Sequence, residues 1–205
     1  MKKIFSLMLA AVLALGLTAM AWAVAEEPGA SGGTTYTDDD RITIEKCYRL
    51  VNDGTVSPAE TFHFSLTTLG VTDSTETLAT MPRFTDANGD LITGFDISFA
   101  EGEATAAGAV KSYTLMLPAY DTVGIYTYEI AEVVDDDAHT AGVTYNTQKL
   151  LLKVTVIQTE DGRIRVAAVH LGDEDGDKVG QVVNTYAAGT LDVTKTVAGL
   201  MGETN

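Results

Sequence analysis

The stretch ITIEKCYRLV, residues 42–51, alternates as a half-buried β-strand does, with one anomaly. Side chains of a strand point to opposite faces in turn, so Ile42, Ile44, Lys46 and Tyr48 share one face and Thr43, Glu45, Cys47 and Arg49 the other. The first face is the apolar one and should turn inward, which aims the Lys46 ammonium at the core of its own fold. Cys47 falls on the outward phase. As the single cysteine of the chain it closes no intramolecular disulfide, which leaves an intermolecular or reactive thiol, or an incidental residue.

Apolar-alternating or β-branched runs follow: TFHFSLTTL (61–69), LITGFDISF (91–99), VKSYTLML (110–117), GIYTYEIAEVV (124–134), VTYNTQKLLLKVTVIQ (143–158), RIRVAAVHL (163–171) and VGQVVNTY (179–186). Turn signals separate them, notably Asn88-Gly89, Asp121 to Gly124 and Asp161-Gly162. No run has the period of a long amphipathic helix, and FAEGEATAAGAV (99–110) is too rich in glycine to be more than a loop or a helical turn. The expected class is all-β: an immunoglobulin-like two-sheet sandwich over residues 41–187, long enough to bury a real core.

Two more polar residues fall in apolar phase. In GIYTYEIAE, Glu132 points the way Tyr126, Tyr128 and Ile130 point; in VGQVVNTY, Asn184 joins Val182 and Tyr186. Burying one unpaired charge costs several kcal/mol or more, roughly, so a lysine, a glutamate and an asparagine turned inward invite a joint explanation. One reading is a buried Lys46–Glu132 ion pair hydrogen-bonded to Asn184; another is three strands that each end in solvent. The third joins Lys46 to Asn184 as an amide. Burial destabilises the ammonium and frees the amine as a nucleophile, while the same desolvation keeps Glu132 protonated, able to polarise the Asn184 carbonyl and shuttle protons as ammonia leaves.

The ends of the chain carry their own signals. Met1-Lys2-Lys3, an apolar run and the small residues Ala21, Ala23 and Ala25 describe a secretory signal peptide over 1–25. Residues 26–40, rich in Gly, Ser, Thr and acid, read as a flexible leader. In residues 188–205 the phase of Leu191, Val193, Lys195 and Val197 repeats the apolar, apolar, lysine opening of residues 42–46, so a second similar domain should begin there and stop short. The formal net charge of −16, deeper still once Lys2 and Lys3 leave with the signal, excludes nucleic acid as a partner of choice. Runs such as Asp38-Asp39-Asp40 and Asp135-Asp136-Asp137 read as solvated loops. Asp173 to Asp177 lacks the glycine and terminal glutamate of a calcium loop, and His63, His139 and His170 lack ligand spacing, so no metal or other cofactor is expected.

ITIEK, PAETFHFSL, GIYTYEIAE, GVTYNTQKLLLKVTV and VVNTY occur in the order found in the pilin isopeptide-linkage domains of Gram-positive bacteria. The chain resembles a streptococcal-type backbone pilin or a related cell-surface stalk protein from about Arg41 to Tyr186, and GTLDVTKTV (189–197) resembles the opening strand of a further such domain. The resemblance implies that Lys46 and Asn184 form a spontaneous isopeptide bond with Glu132 as the proton shuttle, and that Lys195 is the cross-linking lysine of the next domain. Val183 departs from the aromatic residue frequent before the asparagine, and Asn146 from the aspartate that commonly follows the tyrosine. Backbone pilins also offer a lysine to a sortase, and Lys178 lies near the matching position; Lys111, Lys149 and Lys153 are the competing amines.

The expected function is therefore structural: a secreted subunit of a pilus shaft or stalk on the wall of a Gram-positive-type bacterium, joined to other subunits through a sortase. Lys46 and Asn184 would be consumed once per chain, so turnover is not expected. The alternatives are a surface adhesin or ligand-binding module on the same stiffened sandwich, and an accessory domain of a secreted enzyme.

Overall fold

The computed structural model describes residues 38–134 and 139–189. The signal peptide expected over 1–25, most of the leader expected over 26–40, the run Asp135-Asp136-Asp137 and nearly all of the second-domain start with Lys195 lie outside the described residues.

Nine strands form among the described residues: β1 (Arg41–Leu50), β2 (Glu60–Thr72), β3 (Gly94–Phe99), β4 (Ala109–Met116), β5 (Gly124–Glu132), β6 (Val143–Thr144), β7 (Lys149–Gln158), β8 (Ile164–Gly172) and β9 (Val182–Tyr186). They make two sheets, one in the order β4-β1-β9-β6 and one in the order β3-β2-β5-β7-β8. All-β architecture in two sheets is thus what the alternation predicts. Every pairing is antiparallel except one: β1 and β9, the first and last strands, run side by side in parallel.

The inward phases of the two sheets make one core. Ile44, Tyr48, Leu115 and Val182 come from the first sheet, and Phe62, Phe64, Tyr126, Tyr128, Ile130, Leu150, Leu152 and Val154 from the second. Tyr48 meets Phe62 edge to face across the gap, with ring centroids 5.2 Å apart at 75°, the geometry that the aromatic quadrupole favours. Lys46, Glu132 and Asn184 all fall on the buried faces, as their phase requires.

The sequence reading and the structure part at two places. Residues 143–158 read as one β-rich run, but β6 belongs to the first sheet and β7 to the second, so the chain changes sheets at residues 145–148. A local hydrogen bond makes the break: the Gln148 N–H donates to the Asn146 side-chain oxygen at 2.7 Å, an Asx turn that alternation does not reveal. Tyr145 anchors the crossing, its hydroxyl donating to Glu60 Oε1 at 3.0 Å.

Cys47, placed outward by phase, is buried. The loop before β4 folds over that face of β1, with Leu50 N–H donating to Thr105 O at 2.9 Å. Gly108 lies so close that a Cβ there would stand 2.5 Å from Cys47 Sγ, and its φ of +96° suits glycine alone. The native thiol should therefore resist a thiol reagent and react once the chain is denatured. Gly108→Ala should open the cover, speeding native labelling and lowering stability by about 1–3 kcal/mol; equal labelling of the native parent and the denatured chain would show that the loop does not cover the thiol.

Candidate functional site

Strand parity and register build the site. β1 and β9 pair with Lys46 opposite Val182 and Tyr48 opposite Asn184, so Lys46 and Asn184 are diagonal neighbours on one face. A slip of one residue would turn Asn184 to the other face. Glu132 comes from the facing sheet, where it ends β5 opposite Phe64 of β2. The three polar residues that phase had singled out meet between the sheets, with Lys46 and Asn184 fully buried and Glu132 8% exposed.

The Glu132 carboxyl bridges the other two. Lys46 Nζ lies 2.5 Å from Oε2, and Asn184 Nδ2 donates to Oε1. Nζ also sits 4.3 Å from the centroid of the Phe62 ring, whose negative face offsets part of the cost of a cation in this place. Burial lowers the Lys46 pKa to about 8, the Glu132 charge pulling the other way. About a tenth of the amine is thereby neutral at pH 7, against fewer than about one in a thousand at the ordinary value, and a neutral amine is the nucleophilic form.

The Asn184 carbonyl is held by a group that alternation does not single out. Its Oδ1 accepts the backbone N–H of Asn146 at 2.9 Å. A backbone N–H only donates, so this contact orients the amide, with oxygen toward Asn146 and nitrogen toward Glu132. The sequence reading had Glu132 donating to that carbonyl. Instead, the carboxyl faces the amine and the amide nitrogen, while the Asn146 N–H faces the oxygen. The one signal in the sequence is an asparagine, a turn former, within a β-branched run.

The other expected site residues lie apart. Lys178 is exposed on the acidic turn where Asp177 N–H donates to the Asp173 carboxylate at 2.8 Å, and no ion pair engages its ammonium among the described residues. Lys111 bonds Glu103 at 2.7 Å and the Ser98 carbonyl at 2.9 Å, and Lys149 pairs with Glu129 at 3.0 Å. Lys153 is exposed on β7. Among the described residues no cluster of three or more metal-ligating side chains forms. His63 instead pairs with Asp96 on the surface at 2.7 Å, and His139 stacks on Tyr145.

Replacing Asn184 by alanine leaves Lys46 with no carboxamide beside it, free to titrate. Its folded value of about 8 lies below the ordinary 10.5, so between those values the unfolded chain keeps a proton that the folded chain has released. Stability then rises with pH across that window and is lost as pH falls through the folded value. Urea melts of Asn184→Ala should gain about 2 kcal/mol between about pH 7.5 and about pH 9.5, a slope absent from the Lys46→Met/Asn184→Ala double variant.

The domain as a whole is similar to known proteins. A family profile described as "FctA: Spy0128-like isopeptide containing domain" matches residues 42–187, from the second residue of β1 to just past β9. A search of curated proteins finds no match. Among solved structures, the major pilin from Streptococcus pyogenes aligns with a TM-score of 0.53 and 19% identity, covering 73% of this chain and 51% of the pilin. A glutamate-to-alanine variant of that pilin aligns with a TM-score of 0.53 at 18% identity, covering 72% of this chain and 50% of the pilin. The major pilin T-13 from the same species aligns at 0.51 with 17% identity, over 73% of this chain and 53% of the other. The chain thus spans about half the length of the solved pilins it matches, and at these identities the likeness is one of fold. With the family profile spanning all nine strands and the Lys46, Glu132 and Asn184 cluster within it, the chain belongs to the family of Spy0128-like isopeptide containing domains.

Proposed function

We propose that Lys46 and Asn184 join as an amide and that the chain is part of a secreted pilus shaft or stalk subunit, stiffened by that bond. The observation that carries this reading is the Glu132 carboxyl spanning the Lys46 amine and the Asn184 amide nitrogen inside the core. In the neutral form of the pair, Nζ attacks Cγ of Asn184. Oε2 takes a proton from Nζ as Oε1 gives one to Nδ2, the Cγ–Nδ2 bond breaks, and ammonia leaves. Glu132 ends as it began, while Lys46 and Asn184 are spent, so the reaction runs once per chain.

The topology supports a mechanical purpose. Because β1 and β9 are parallel neighbours, the chain enters the domain at one end of this pair and leaves at the other. Tension along the chain would slide one strand past the other, loading their hydrogen bonds together. An amide between Lys46 and Asn184 joins these two strands directly, so force would pass from first strand to last through covalent bonds. The tie also closes a loop holding nearly the whole domain, worth about 4–5 kcal/mol on the chain-entropy account.

Around this domain we place a signal peptide at 1–25 for export and, at 188–205, the start of a further domain with Lys195 as its cross-linking lysine. The surface of a Gram-positive-type bacterium is the setting that the pilin likeness suggests. Lys178 is the proposed sortase acceptor, because its ammonium is exposed beside the Asp173–Asp177 turn with no ion pair among the described residues, whereas Lys111 and Lys149 are engaged and Lys153 lies along a strand.

The purified mature protein should weigh one ammonia less than its sequence, and Glu132→Ala or Lys46→Ala should restore the full mass. A parent of full mass would sink the bond. Glu132→Gln should remain unlinked and lose about 4–5 kcal/mol of stability. In a full-length protein co-expressed with its sortase, Lys178→Arg should abolish the high-molecular-weight ladder and leave the intramolecular mass loss intact; a ladder that persists would move the acceptor to another lysine.

A further inference from the structure

Amide formation moves an electron pair onto the Asn184 oxygen before ammonia leaves, and that oxygen is buried beyond the reach of bulk water. Something must meet the developing charge. Glu132 does not, since its two oxygens face the amine and the amide nitrogen. The donor on Asn184 Oδ1 is the backbone N–H of Asn146, at 2.9 Å.

We propose that the Asn146 N–H is the oxyanion donor of the cross-linking reaction, and that the Asn146 side chain is the positioning group that holds it. This role rests on the amide between Lys46 and Asn184 proposed above. As the Nζ–Cγ bond forms, the carbonyl pair shifts onto Oδ1, where the N–H already points. It returns when the Cγ–Nδ2 bond breaks and ammonia departs, the protons passing through Glu132. A donor aimed beforehand in a dry site stabilises the intermediate without reorganising.

The peptide that carries this N–H is clamped from several directions. On its N-terminal side, β6 pairs with β9 itself, Val143 opposite Tyr186 and Thr144 opposite Thr185, so the donor is referenced to the strand that bears Asn184. The Tyr145 hydroxyl, bonded to Glu60 at 3.0 Å, ties the same peptide to β2. On its C-terminal side, the Asn146 oxygen accepts the Gln148 N–H at 2.7 Å, fixing the turn in which the chain leaves for the other sheet. The side chain thus acts through the backbone: its oxygen holds the turn, its Nδ2 reaches the Val183 carbonyl of β9 at 3.5 Å, and it has no contact with Lys46 or Glu132 among the described hydrogen bonds. An aspartate keeps the same acceptor for Gln148, whereas alanine removes it.

The test follows the reaction in time. The full chain is made in a short pulse of cell-free synthesis, quenched at intervals and weighed intact, with protection of the Cys47 thiol reporting the folded fraction. Asn146→Ala should slow ammonia loss about tenfold or more per folded molecule, and Asn146→Asp should restore the parent rate. Replacing the residue 146 amide by an ester, which deletes the N–H alone, should slow it by about a hundredfold. An ester variant that cross-links at the parent rate overturns the oxyanion role while leaving the bond in place. Asn146→Asp as slow as Asn146→Ala overturns the positioning role. A parent that never loses ammonia overturns the bond itself, and this role with it.

Discussion

The structure turns on an amine held where water cannot reach it. Lys46 sits between two sheets, fully buried, with Glu132 on its nitrogen and the Phe62 ring beside it. An ion pair in such a place is a poor source of stability, because desolvating two charges offsets most of their attraction. Apolar residues of similar size would serve the core at least as well. The proposed amide would account for the arrangement: burial weakens the ammonium, and the same carboxyl that partners it reaches the amide nitrogen of Asn184.

The rest of the sandwich positions that contact. Lys46 and Asn184 share a face only because β1 and β9 pair in the register that sets Tyr48 opposite Asn184, and Glu132 reaches them only because β5 lies in the facing sheet. The aromatic residues around them close the gap to solvent. Tyr48, Phe62 and Phe99 meet edge to face at 5.2–5.8 Å, and Phe64 stacks on Phe95 at 5.0 Å. Such packing holds side chains in fixed rotamers, which a reaction between neighbouring groups requires. The same core thus serves stability and chemistry together.

Lys46 and Asn184 lie on the first and last of the described strands, so the proposed bond between them would link chemistry to mechanics. A bond made elsewhere in the sandwich would stiffen part of it; one between parallel first and last strands relieves the remaining strands of load along the chain. Lys178, exposed beside the turn before β9, stands apart from this interior cluster, so the proposed reaction between molecules there would leave the proposed cross-link undisturbed.

The sequence by itself determined which side chains turn inward. Period-two alternation assigned Lys46, Glu132 and Asn184 to apolar faces, because parity along a strand is a local property. The all-β class was legible for the same reason, and the order of short motifs pointed to the family. What alternation does not carry is the partner of each strand. It treated 143–158 as a single run, although an Asx turn at Asn146 splits it between sheets, and it left Cys47 outside, although a distant loop covers it. Tertiary structure alone decided that Glu132 faces the amide nitrogen of Asn184 and that a backbone N–H holds its oxygen. The choice of atom depends on distances between segments far apart in the chain, and these are set only when the two sheets close on each other.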